Sequence, residues 1–220
     1  MTNEKSRRPL VYLITDRRNL GPTADDPGSA RLIGFLERAI PCGIDLVQLR
    51  EPDLPARELF LLTKKIVEMA GPHCCKVLVN DRADIAASCG AGVHLTTRSL
   101  RPAVVRRTFG SGLLMGVSTH SHQEVREAQD GGADFVVFGP VYPTRTKEQY
   151  GPPAGIGPLQ DVTSRFTVPV LGLGGINETN FHQVLNAGAA GIAGISIFID
   201  SPDLASLIAT IKAYDAINTR

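Results

Sequence analysis

Absences narrow this 220-residue sequence before any motif is read. It lacks an excess of charge of either sign: 23 Lys and Arg stand against 22 Asp and Glu, a formal net charge of +1. Without a basic field there is no electrostatic case for a nucleic-acid partner. No run approaches the roughly 18 consecutive apolar residues of a membrane-spanning helix, so no membrane partner is expected. The opening MTNEKSRRPL has no apolar core behind Arg7 and Arg8, which argues against a secretory leader. The four cysteines, Cys42, Cys74, Cys75 and Cys89, form no CxxC pair, and the adjacent Cys74 and Cys75 suit neither a disulfide nor zinc. They read as reduced, structural residues of a cytoplasmic protein. No linker, low-complexity tract or shift of composition marks a second domain. Residues 1–9 read as a flexible N-terminal tail and residues 10–220 as a single domain.

What is present is a chain of 43% hydrophobic residues with mean hydropathy near zero, enough to bury a core. Short β-rich runs alternate with amphipathic helical stretches. The runs are LVYLIT (10–15), DLVQLR (45–50), KVLVN (76–80), GVHL (92–95), LLMGVS (113–118), DFVVFG (134–139), VPVLGLG (168–174) and AGISIF (193–198). They read as apolar on both faces, as strands covered on both sides should be. Helix candidates between them include ARELFLLTKKIVEMA, HQEVREAQDGG and NETNFHQVLNAGA, each stopped by glycine. About eight strands, each followed by a helix, predict an α/β fold: a single (β/α)8 TIM barrel. An open doubly wound sheet is the alternative, but no GxGxxG opens the chain and the Gly-rich segment follows the seventh run, not the first.

In such a barrel the chemistry sits at the C-terminal ends of the strands. Those ends supply Asp16, then Gln48, Arg50 and Glu51, Asn80 and Asp81, Thr96 and Thr97, and Ser118, Thr119 and His120. Thr144, Arg145, Thr146 and Lys147, Gly174 and Gly175, and Ser196 complete the ring. Two parts suit anions. Gly174 and Gly175 precede a helix whose N-cap is expected at Asn177, so backbone N–H groups and the helix dipole would face a phosphate. Ile195 and Ser196 add donors, giving phosphate-binding loops after strands 7 and 8. The competing reading is that the glycines only make a tight turn. Thr144, Thr146 and Lys147, with Arg50 and Ser118, would clamp a polyanion such as pyrophosphate, against the alternative of a solvated loop. His120 ends the fifth strand as a candidate acid/base, or as a loop anchor. His94, inside a strand, reads as a satisfied core residue; His122 falls in the first turn of a helix, and His73 and His182 on the surface.

Taken together and in order, YLITDR, VQLRE, LVNDRADIA, GVHL, GVSTHS, GADFVVFGPVYPTRTK, VLGLGGI and GISIF resemble the thiamin phosphate synthase/TenI family. The resemblance runs from about residue 10 to 200 and implies a (β/α)8 barrel. In the synthase reading it implies a transferase of thiamin biosynthesis, which joins hydroxymethylpyrimidine diphosphate to thiazole phosphate and releases pyrophosphate. Gln48, Arg50, Asn80, Ser118 and Lys147 would then hold the pyrimidine diphosphate, and Asp81 would bind Mg2+. Thr144, Thr146, Gly175, Ile195 and Ser196 would hold the thiazole phosphate or neighbouring phosphate groups.

The chain departs from the synthase pattern twice: Pro52 stands where that pattern has Lys, and Ser99 where it has a second metal-binding Asp. The TenI branch, which includes thiazole tautomerases, tolerates both. A tautomerase would move a proton on thiazole phosphate carboxylate through His120, without metal or other cofactor. A non-catalytic barrel that binds thiamin precursors is the reading of a different class. Sugar-phosphate epimerases want an acid/base carboxylate pair facing across the barrel, and no such pair is found. The partners expected are small phosphorylated molecules, and self-association is left open.

Overall fold

The computed structural model describes residues 8–21, 29–144 and 152–214. Most of the expected tail (residues 1–7), the loop residues 145–151 and the last six residues lie outside these. Eight parallel strands close into a barrel in sequence order, with the last paired back to the first. They are β1 (Leu10–Ile14), β2 (Leu46–Leu49), β3 (Lys76–Asn80), β4 (Gly92–Leu95), β5 (Met115–Thr119), β6 (Phe135–Phe138), β7 (Val170–Leu173) and β8 (Gly191–Gly194). Between and after them run α1 (Ala30–Ala39), α2 (Ala56–Ala70), α3 (Ala83–Ser88), α4 (Pro102–Phe109), α5 (His122–Asp130), α6 (Ile156–Arg165), α7 (Phe181–Asn186), α8 (Ser196–Ile199) and α9 (Leu204–Ala213). The (β/α)8 barrel is therefore the fold.

Helix α2 shows why the elements form where they do. Leu59, Leu62, Ile66 and Ala70 recur every three or four residues and are the face it buries, while Glu58 stands in its first turn. Of the three glycine stops, Gly132 and Gly188 take the left-handed conformation, with φ of 83° and 88°. Gly71 does not; at φ −50° it stays right-handed and leads into a further turn.

Strand boundaries match the sequence runs closely for β3 and β4 and within two residues elsewhere, except at β8. That strand ends at Gly194, and the SIF that closes the expected run is instead part of the short helix α8, with Ile199. Glycines let the chain crowd here: a Cβ on Gly191 would lie 2.2 Å from the Leu10 carbonyl oxygen. Helix α7 also begins later than expected. Its N-cap is Asn180, because Asn177 turns the chain first, its side-chain oxygen accepting from the Thr179 backbone at 2.9 Å.

Two apolar layers hold the barrel. Val11, Leu13, Val47, Val79, Val93 and Leu95 face outward beneath the helices. Tyr12, Ile14, Leu46, Leu78, Phe135, Val137, Leu171 and Ala193 fill the interior. The expectation of strands apolar on both faces fails over part of the inner wall. Pairing sets Gln48 beside Ile14 and Leu78, Asn80 beside His94, and Ser118 beside Val137, so the inward row turns polar across β2 to β5.

Candidate active site

The mouth of the barrel begins with a buried carboxylate. Glu51, 3% exposed, accepts a hydrogen bond from Thr15 Oγ1 at 2.6 Å and from the Arg17 backbone N–H at 3.2 Å. Burial pushes its carboxyl above the ordinary glutamate range, and the Thr15 hydrogen bond opposes this. The same Thr15 hydroxyl accepts from the backbone N–H of Arg50 at 3.1 Å, so Glu51 and Thr15 fix where the Arg50 side chain departs from the end of β2. The Arg50 guanidinium lies half-buried, 3.9 Å from Asp16. Asp16 also takes a two-pronged pair from Arg18, which holds its carboxyl below the usual range.

Next to it is a chain of amides ending on a carboxylate. Asn80 donates through Nδ2 to Asp81 Oδ2 at 2.7 Å, and Gln48 donates through Nε2 to Asn80 Oδ1 at 2.8 Å. An ionised carboxylate can only accept, so Asp81 orients the Asn80 amide, and Asn80 in turn orients Gln48. The Gln48 Oε1 is left buried without a partner among the described residues. Asp81 itself has φ of 60°, a left-handed conformation that aspartate tolerates better than most residues and that sequence patterns do not reveal. Its Oδ1 accepts from Thr96 Oγ1 at 3.1 Å and from the Ser99 hydroxyl. Thus the hydroxyl at position 99 donates to Asp81, where a second carboxylate would repel it unless a cation lay between them.

On β4 and β5 the ring of His94 bridges Tyr12 and Ser118. Its Nδ1 lies 3.0 Å from the Tyr12 hydroxyl and its Nε2 2.9 Å from Ser118 Oγ. Burial pushes the His94 pKa down to about 4, so the ring is neutral near pH 7. Gly116 makes the room: a Cβ there would lie 2.4 Å from the Phe135 ring and 2.9 Å from His94 Nδ1. The core reading of His94 holds, with an addition, since its far nitrogen reaches a site residue. His120 is exposed; its Nδ1 donates to the Gly139 carbonyl and its backbone N–H to Glu124, which is the loop-anchoring geometry. His122 opens α5, His73 is exposed and His182 is half-buried.

Across the mouth, backbone replaces side chains. The segments after β6 and β7 lie side by side, joined from Val141 N to Leu173 O at 2.8 Å and from Tyr142 N to Gly174 O at 3.0 Å. A Cβ on Gly175 would stand 2.5 Å from the Pro143 carbonyl oxygen, and its φ of 63° also favours glycine. The tight-turn reading of these glycines is therefore satisfied, whatever else they do. The helix-dipole expectation changes, because α7 starts at Phe181, six residues beyond Gly175, and is itself only six residues long. Ser196 opens α8, so its N–H belongs to the first turn, which no intrahelical carbonyl reaches. Thr144 lies half-buried at the edge of the described loop; Thr146 and Lys147 lie outside the described residues.

Comparison with known proteins decides the family. A family profile described as thiamine monophosphate synthase matches residues 11–198, nearly the whole barrel. The chain belongs to the thiamine monophosphate synthase family. Within that family it is 45% identical over 194 residues to a Geobacter sulfurreducens protein named "Putative thiamine-phosphate synthase", covering 88% of each chain. It is 36% identical over 195 residues to the thiamine-phosphate synthase of a Roseiflexus species, covering 88% of this chain and 80% of the other. Among solved structures, thiamine phosphate pyrophosphorylase from Pyrococcus furiosus superposes with a TM-score of 0.79 at 27% identity. That match covers 94% of this chain and 98% of the other.

Every described residue expected at the site therefore lies at one end of the family's barrel. Gln48, Asn80 and Asp81 are joined by hydrogen bonds, Arg50 is tied to β1, and Ser118 is tied to His94. The supports the sequence reading missed are Tyr12, Thr15 and the role of Glu51. A period-of-two count along LVYLIT and GVHL would have turned Tyr12 and His94 inward together, which is the one signal available.

Proposed function

We propose that this chain is a thiamine-phosphate synthase, a transferase that joins hydroxymethylpyrimidine diphosphate to thiazole phosphate and releases pyrophosphate. The observation that carries the proposal is the near full-length match to relatives of that name, at 45% and 36% identity. The polar quadrant of Gln48, Arg50, Asn80, Asp81 and Ser118 supports it, because it offers uncharged donors and acceptors for a heterocycle beside a cation for a diphosphate.

The chemistry asks little of the protein covalently. The bond between the pyrimidine methylene carbon and the diphosphate oxygen breaks, and its electron pair leaves with pyrophosphate. The thiazole ring nitrogen then forms the new C–N bond to that carbon, so no side-chain nucleophile is needed. Arg50, its backbone held by Thr15 and Glu51, faces the negative charge growing on the leaving group. Lys147 is proposed as the second cation. Thr144, Thr146, Gly175, Ile195 and Ser196 are proposed to seat the thiazole phosphate so that its nitrogen meets the methylene carbon in line.

Among the described residues no group of three or more His, Cys, Asp or Glu could hold a metal. Magnesium does not require one: it binds through one or two carboxylates, keeping waters and substrate phosphate oxygens as its other ligands. Asp81, exposed at the mouth with only oxygen groups against its Oδ1, fits that role. Mg2+ bound there would neutralise charge on the diphosphate.

The tautomerase reading is not supported, since the matched relatives carry synthase names, and nothing favours a non-catalytic barrel. Phosphorylated substrates of this kind are held inside cells, which supports a cytoplasmic setting; among the described residues no helix is long and apolar enough to cross a membrane. The test is to incubate the protein with both substrates and Mg2+ and assay thiamin phosphate and pyrophosphate in equal amounts. Absence of both products, with proton exchange on thiazole phosphate carboxylate, would restore the tautomerase.

A further inference from the structure

Beneath the mouth, a hydrogen-bond chain has its direction set at its buried end. Tyr12 is fully buried, and the only partner of its hydroxyl among the described residues is His94 Nδ1. A buried phenol must place its proton somewhere, and that nitrogen is the one acceptor within reach. His94 Nδ1 therefore accepts, which puts the single proton of the neutral ring on Nε2. Nε2–H then donates to Ser118 Oγ, and the Ser118 hydroxyl proton, barred from Nε2, is free to point into the pocket.

We propose that Tyr12 and His94 are positioning residues that fix Ser118 as a hydrogen-bond donor toward an unprotonated ring nitrogen of the aminopyrimidine substrate. The arrangement mirrors the chain on β2 and β3, where Asp81 orients Asn80 and Gln48 and leaves Gln48 Oε1 as a buried acceptor. One chain ends in a donor and the other in an acceptor. An aminopyrimidine offers both complements, with lone pairs on its ring nitrogens and N–H groups on its amine. Were the His94 proton on Nδ1, Nε2 would take the Ser118 proton, and both hydrogen-bond chains would end in an acceptor. The substrate half of this proposal rests on the synthase reading; the direction of the chain does not.

Nitrogen-15 NMR of histidine-labelled protein tests the chain, with the His94 signals assigned by their loss in His94→Gln. Nε2 should show the protonated shift and Nδ1 the lone-pair shift; a proton on Nδ1 would overturn the proposal. Tyr12→Phe removes one buried hydroxyl from a position sealed from the pocket. It should populate the Nδ1–H form and raise KM for hydroxymethylpyrimidine diphosphate about tenfold, the equivalent of one hydrogen bond. KM for thiazole phosphate and kcat should stay within about twofold, as for a contact made equally in ground and transition states. His94→Gln keeps an N–H donor toward Ser118 and should weaken pyrimidine use less than His94→Leu. An unchanged KM in Tyr12→Phe, or equal rises for both substrates, would reduce the chain to packing. If the unmodified protein makes no thiamin phosphate, the substrate half falls with the synthase reading, while the NMR result still decides the direction of the chain.

Discussion

The two sides of the barrel mouth are built from different materials. From β2 to β5 the inward positions are Gln48, Asn80, His94 and Ser118, joined by side-chain hydrogen bonds. From β6 to β8 they are Val137, Leu171, Leu173 and Ala193, and the polar groups above them are backbone amides around Gly175 and Ser196. Side chains read shape and hydrogen-bond direction, whereas backbone amides at a glycine turn read little beyond negative charge. A synthase with a heterocycle to recognise on one side and a phosphate to hold on the other has use for both.

Substitutions separate the halves, and the largest effect is expected where charge develops. Arg50→Ala should lower kcat/KM by about 10²–10³, with the loss in kcat, because in the proposed role its contact would strengthen as the diphosphate leaves. Steady-state kinetics at saturating Mg2+ check this, and a change confined to KM would place Arg50 in ground-state binding alone. Gly175→Val acts on the other side. Its added Cβ meets the Pro143 carbonyl at a φ of 63°, so roughly 2–3 kcal/mol of stability should go. KM for thiazole phosphate should rise while KM for the pyrimidine diphosphate holds, and denaturant melts with paired kinetics test both.

A smaller effect concerns pH and the polar side. Burial lowers the folded-state pKa of His94 from 6.5 to about 4. A base with a depressed value binds its proton more readily when unfolded. Its contribution is therefore complete above pH 6.5 and is lost as pH falls towards 4, about 3 kcal/mol in all. Relative to His94→Gln, the unmodified protein should lose stability over that window; parallel stability curves would contradict the burial of His94. Smallest should be Glu51→Gln, which keeps Oε1 as acceptor for Thr15 and the Arg17 backbone and gives up the charge together with Oε2, the second acceptor for that N–H. A fewfold rise in KM for the pyrimidine diphosphate is expected, with thiazole phosphate unaffected, and initial rates would show it.

The barrel was legible in the order of apolar runs and helix faces, because each strand and helix announces itself over four to fifteen neighbouring residues. The run at 193–198 is ambiguous because ISIF is as good a strand as a helix by composition; here the chain turns at Gly194, against which Ile197 packs so closely that a Cβ there would lie 2.4 Å from its Cγ2. Asn177 has the residue type of a helix cap, but Asn also makes Asx turns; here it turns the chain, and Asn180 caps. The candidate side chains at the described strand ends were found because their place on the fold follows once the strands are placed. The left-handed backbone of Asp81 and the burial of Glu51, both residues named from the sequence, were not legible there, since backbone strain and burial have no local signature.

By itself, then, the sequence determined the barrel, the family and which of the described residues stand at its strand ends, all properties of local pattern and order. Only the tertiary structure decided how those residues are wired. Tyr12 and His94 are 82 positions apart, and His94 and Ser118 are 24 apart. Barrel closure buries Tyr12 and His94 against one another, where every buried proton needs an acceptor. The direction of a hydrogen bond is a property of such a set of contacts, and no single stretch of chain contains it.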